Sequence, residues 1–167
     1  MYVISKWIKN KNFRKLYLII IKLLYILYRI KNILVPLDGS STSLKGFNLA
    51  LTLAKSLDAK ITVINVIRFS NNYQFPASSE IKQSHVKSAE KIISDAQKIA
   101  KKEKIGFVGK IVKGNNISKE IIKFSKIKNI DLIIIGSRGP YPSSETFLGS
   151  VANYVLHKSC IPITIVK

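Results

Sequence analysis

From residue 32 onward the chain alternates short apolar runs with segments of helical period, and that alternation leaves few architectures open. Ile33-Leu34-Val35-Pro36-Leu37 reads as a short buried strand. Asp38, Gly39, Ser40 and Ser41 follow it as a turn and helix cap. Leu44, Phe47, Leu51 and Ala54 then recur on one face of a first helix. Residues 60–67, rich in Ile, Val and Thr, predict a second strand. A polar loop is expected at 68–79. Beyond it Val86, Ala89, Ile92, Ile93, Ala96, Ile99 and Ala100 predict a long amphipathic helix with lysines outward. Residues 107–112 form a third strand in this reading. Ile117, Ile121 and Phe124 mark a third helix, capped by Asn115 or Asn116. Residues 131–135, with the unbroken apolar run Leu132-Ile133-Ile134-Ile135, predict a fourth strand buried on both faces. A Gly/Pro/Ser loop at 136–148, a short helix at 150–158 and a last strand at 161–166 close the pattern. Strands alternating with helices imply an α/β fold, a doubly wound parallel sheet with helices on both faces.

The 167 residues suit one domain with a single core. Charge is the unusual property: 28 Lys and Arg stand against 9 Asp and Glu. Residues 1–31 hold Lys6, Lys9, Lys11, Arg14, Lys15, Lys22, Arg29 and Lys31 and no acid, which leaves 20 basic groups against the 9 acids in residues 32–167. The chain therefore divides into a basic, hydrophobic extension, 1–31, and a domain, 32–167. Within the extension, residues 16–28 are apolar except for Lys22. Thirteen residues with a central charge are too few for a bilayer-crossing helix, which needs roughly 20. Three readings stay open: an interfacial amphipathic helix meeting anionic lipid, an appended segment without function, and a signal-anchor.

The single cysteine, Cys160, excludes an intramolecular disulfide and fits a reducing compartment. It is expected as a small buried hydrophobe before the last strand, not as a nucleophile. His85 and His157 lie far apart on two helices, and no Cys/His cluster has metal-ligand spacing. No serine sits in an elbow motif, and no catalytic set is expected.

Two loops carry chemistry, each directly after a buried strand. The first is Pro36-Leu37-Asp38-Gly39-Ser40-Ser41; the second is Gly136-Ser137-Arg138-Gly139, then nine residues, then Gly149-Ser150. Glycines permit close backbone approach to a ligand, and a helix starting near Ser150 offers its positive end to phosphate. Arg138 adds charge. Plain turn glycines are the competing reading, and neither the P-loop nor the dinucleotide fingerprint is matched. If the first and fourth strands are neighbours, both loops meet where strand order reverses, the usual ligand position in such sheets.

At these residues the chain resembles the universal stress protein family. Residues 33–40 are similar to that family's first strand and turn. Residues 134–139, 148–152 and 161–166 are similar to its last third. The Gly136-x2-Gly139-x9-Gly149-Ser150 spacing fits the family's ATP-binding branch. The resemblance implies an adenine nucleotide alpha hydrolase-like sheet of order 3-2-1-4-5. It implies ATP with Pro36 and Val66 beside the base and Asp38 near the ribose or adenine. Gly136, Gly139, Gly149 and Ser150 would hold ribose and phosphates, helped by Ile135, Val151 and Ala152, with Mg²⁺ or Mn²⁺ held by the phosphates. It also implies a homodimer through the last strand, at Ile161, Ile163 and Ile165. The basic head is foreign to the family pattern, and Pro140 and Pro142 stiffen the phosphate loop.

The function expected is a cytoplasmic, ATP-binding stress-response regulator, switched by nucleotide, with at most slow hydrolysis. A membrane-surface adaptor built on residues 1–31, at the inner membrane face, is the second class. A nucleotide-using transferase is the third, against which stands the lack of a pyrophosphate loop after the first strand. Nucleic acid is disfavoured: the charge permits it, but no recognition motif accompanies it.

Overall fold

Leu132-Ile133-Ile134-Ile135-Gly136 is buried at every position, so it has to be a central strand. The computed structural model describes residues 15–21, 30–68, 79–140 and 148–167. The expected loops at 68–79 and 136–148, Pro142 and most of the extension fall largely outside the described residues. The chain divides into two units, residues 1–30 and 31–167. In the first, residues 15–21 are helical.

In the second, β1 (Asn32–Pro36), α1 (Ser41–Leu57), β2 (Lys60–Arg68), α2 (Ser79–Lys102), β3 (Phe107–Gly114), α3 (Ile117–Ile127), β4 (Leu132–Gly136), α4 (Ser150–Lys158) and β5 (Ile163–Val166) follow in order. All strand pairs are parallel and the sheet order is β3-β2-β1-β4-β5. Leu34 lies opposite Thr62 on one side and Ile133 on the other, so β1 and β4 are neighbours where the strand order reverses.

Period-two alternation assigns the faces. Leu34, Ile64, Ile133 and Ile135 pack in one core cluster with Ile121 of α3 and Ala152 and Val155 of α4. The opposite face meets α1 and α2: Gly46 sits against Ile134, and Ile93 against Gly109. Phe47 closes that layer edge-on to Phe107, with centroids 6.5 Å apart.

Two helix faces differ from the sequence expectation. Leu44 is 46% exposed, and α1 buries Ser43, Gly46, Phe47, Ala50 and Ala54 instead. Small side chains let the helix lie close to β4, and the larger leucine is turned outward. On α2, Ala89, Ala96 and Ala100 are buried while Ile99 is exposed, for the same reason. Cys160 is also exposed, which corrects its expected burial. It stands in the turn between α4 and β5, and β5 begins at Ile163, after Pro162. Pro162 lacks an N–H, but its carbonyl accepts from Ile133 N, so the proline fits the strand start.

Candidate functional site

The loops after β1 and β4 are locked together by side chains at the start of α1. Ser40 caps α1, accepting from Ser43 N at 3.2 Å. Its single hydroxyl proton goes to Asp38 Oδ1 at 2.6 Å, and the same carboxylate oxygen accepts from Ser40 N at 2.9 Å. Thr42 Oγ1 donates to the Arg138 carbonyl at 2.6 Å. The glycine-rich loop is thus anchored to the first turn of α1 through Arg138.

Gly136 and Gly149 serve different purposes. A Cβ on Gly136 would lie 2.7 Å from Ser43 N and Thr42 Oγ1, so this glycine admits the start of α1 against β4. That is a packing role, where the sequence reading weighed ligand approach against a plain turn. At Gly149 a Cβ would meet Ser137 O at 3.4 Å, a contact that neighbours tolerate with small shifts. Gly149 N donates to Ser137 O at 2.8 Å, bringing the far end of the loop back to its beginning. Gly149 is also the N-cap of α4 and offers no side-chain acceptor. The first-turn N–H groups of Ser150, Val151 and Ala152 have no partner within the helix, as at every helix start.

These pieces surround one cavity of about 630 Å³ at the C-terminal edge of the sheet. Pro36, Asp38, Val66, Ile135, Gly136, Arg138, Gly139, Gly149, Ser150, Val151 and Ala152, expected from the sequence, all line it. Ile64, Val66, Ile117, Ile121 and Ile135 supply an apolar wall, and Asp38 is its one carboxylate among the described residues. His85 and His157 are exposed and outside it.

The sequence reading missed several lining residues, of which Arg68 at the end of β2 matters most. Arg68 and Arg138 are the only arginines in residues 32–167, amid many lysines, and both line the cavity. That enrichment was the available signal. Ser40 and Thr42 were also missed as loop anchors; their signal was the cap position beside the Asp38 turn. Asn116, not Asn115, caps α3, accepting from Lys119 N at 3.0 Å.

The sequence profile of the universal stress protein family matches residues 29–167. The chain belongs to the universal stress protein family. A universal stress protein of Methanocaldococcus jannaschii is 29% identical over 140 residues, 82% of either chain. The protein YxiE of Bacillus subtilis, also named a universal stress protein, is 30% identical over 145 residues, covering 80% of this chain and 97% of its own. Among solved structures, protein MJ0577 is similar with a TM-score of 0.73 at 26% identity, over 83% of this chain and 96% of that one. Two others share the fold at a TM-score of 0.64. One is a universal stress protein in complex with cAMP, at 22% identity over 82% of this chain and 97% of that one. The other, from Archaeoglobus fulgidus, is in complex with dAMP, at 18% identity over 84% of this chain and 99% of that one.

Proposed function

We propose that the cavity binds an adenine nucleotide, ATP foremost, and that this universal stress protein is a nucleotide-responsive regulator in the stress response. The observation that carries the reading is the meeting of the Asp38 loop and the Gly136–Arg138–Gly149 loop around one cavity at the strand-order reversal. The cavity volume suits a small ligand. Its apolar wall, with Val66 and Pro36, suits a base. The amides of Ser150, Val151 and Ala152 and the two arginines suit phosphates, since a guanidinium binds phosphate oxygens in pairs. The cAMP and dAMP complexes of fold relatives support the ligand class.

Asp38, with its Oδ1 held by Ser40, keeps Oδ2 for a ribose hydroxyl. No group of three or more His, Cys, Asp or Glu among the described residues has metal-binding geometry. A Mg²⁺ or Mn²⁺ ion held by the phosphates, as the family resemblance implies, would neutralise their charge. Nucleotide switches partner binding to the extent that it binds one conformation more tightly than another. A homodimer through β5 belongs to the same proposal. β5 is an edge strand with backbone groups to pair, while Ile161, Ile163 and Ile165 are already partly packed on the chain's own core.

The test is the nucleotide content of the purified full chain, released by heat and identified by chromatography, beside a Gly149→Val variant. Adenine nucleotide on the parent and not on the variant is the expected result. Parent protein that carries none and fails to bind added Mg-ATP overturns the reading.

A further inference from the structure

We propose that the edge of the sheet opposite the cavity is a binding surface for the phosphate backbone of duplex nucleic acid. The inference is independent of the nucleotide site. In a parallel sheet all strands start at one edge, and the crossover helices end there. Lys60, the first residue of β2, lies opposite Asn32, the first of β1. Lys31 Nζ donates to the Leu57 carbonyl at the end of α1 over 2.9 Å. Lys55, in the last turn of α1, pairs at 3.2 Å with Glu103, just beyond α2. Asp131 N donates to Asn32 O at 2.9 Å, which brings the segment after α3 to the same edge.

Around this edge stand Lys60, Lys101, Lys102, Lys104, Lys126 and Lys128, all exposed. The acids beside them are already engaged. Asp58 and Glu103 pair with Lys31 and Lys55, and Asp131 Oδ2 accepts from the N–H groups of Lys31 and Asn32. Among the described residues, none of the six lysines has a carboxylate within ion-pair distance. The helix dipole accounts for Lys101, Lys102 and Lys126, which lie in last turns. It does not account for Lys60 at a strand start. Lys104 holds a left-handed φ of 58°, where glycine would cost less.

The occupant follows from the kind of charge. Protein interfaces are depleted in lysine and enriched in arginine, and both arginines of residues 32–167 line the cavity at the other edge. A single strand asks for aromatic side chains on which bases stack. The aromatics beside this edge are already used: Phe107 packs edge-on to Phe47, and Phe124 packs against the core. Lysine is a compact point charge that meets phosphate without a fixed geometry. A duplex carries one charge per ~1.7 Å of axis. The starts of β3 and β4 are three strand spacings apart, ~14 Å, so several phosphates face the lysines at once. Such contacts hold a backbone without reading bases, and they require no recognition motif.

The experiment titrates the full-length protein with fluorescent DNA duplexes of about 20 base pairs in two unrelated sequences, read by anisotropy. The expected result is equal affinity for both, falling roughly a hundredfold between about 50 and 200 mM salt. Lys101→Gln/Lys102→Gln/Lys104→Gln is expected to weaken binding roughly tenfold and to flatten the salt slope by about 2–3. Lys45→Gln/Lys87→Gln/Lys119→Gln removes the same charge from exposed positions in the first halves of α1, α2 and α3. This second variant is expected to change affinity less than ~twofold. Both variants should keep the parent's thermal transition by circular dichroism. Undiminished binding by the first variant overturns the proposal, since the cations of residues 1–31 would then carry it. An equal loss in both variants overturns it too, as an effect of net charge alone. So does absence of duplex binding, or binding to phosphatidylserine vesicles in place of the duplex.

Discussion

Thr42 Oγ1 donates to the main-chain carbonyl of Arg138 over 2.6 Å, joining the first turn of α1 to the loop after β4. The Ser40 hydroxyl, 3.4 Å from the same carbonyl, has its proton committed to Asp38, so Thr42 is the effective donor. Thr42→Val keeps the shape and removes the donor. It is expected to cost about 1–2 kcal/mol in chemical denaturation, because a half-buried carbonyl loses its partner. Nucleotide affinity, read by calorimetry, should fall severalfold, and Thr42→Ser should restore both.

Gly136 and Gly149 should fail in different ways. Gly136→Ala drives a Cβ to within 2.7 Å of backbone and Thr42. Its expected signature is lost stability of roughly 1–3 kcal/mol, visible as a lower thermal midpoint without ligand. Gly149→Val should leave most stability in place, since even the Cβ meets nothing closer than 3.4 Å. Its branched side chain should remove nucleotide binding.

Arg68 and Arg138 are separable from the surrounding lysines. Arg138→Ala and Arg68→Ala should each weaken Mg-ATP by about tenfold, the worth of a charge-assisted hydrogen bond of 1.5–3 kcal/mol reduced by partial exposure. Adenosine binding should change little. Loss of affinity for adenosine as large as for ATP would show that these arginines do not meet phosphate. Neutralising Lys55, an exposed residue paired with Glu103, is the control and should change neither.

Asp38→Asn and Asp38→Ala divide structure from binding. Asparagine keeps an oxygen for Ser40 N and Ser40 Oγ, both bonded to Asp38 Oδ1. Thermal unfolding should therefore place the asparagine variant near the parent and the alanine variant about 1 kcal/mol lower. If Asp38 meets a ribose hydroxyl, both variants should narrow the preference for ATP over a ribose-free adenine ligand, as competition measurements would report.

The sheet was legible because each strand carries its own signal. The apolar run at 132–135 could only be central, and the β-branched run at 60–67 has no helical period. The site was legible because both loops follow buried strands, and β1 and β4 are neighbours. Helix faces were harder to read. Leu44 and Ile99 obey the helical period, but contact with a parallel sheet rewards small residues, so Ala50 and Ala100 went inward. Cys160 followed its type's average preference until the turn before β5 put it in solvent. Arg68 was hidden because the tip of a strand has no periodic partner to reveal its direction. Thr42 was hidden because its partner lies 96 positions away in the chain.

The bond from Gly149 N to Ser137 O closes the glycine-rich loop at its neck. The chain leaves the ligand wall at Ser137 and is returned to it at Gly149 whatever length runs between. Lengthening such a tied loop costs little, since closure entropy grows only with the logarithm of its size. Evolution can therefore insert, delete or decorate that stretch at little cost, while Ser137 and Gly149 keep their places.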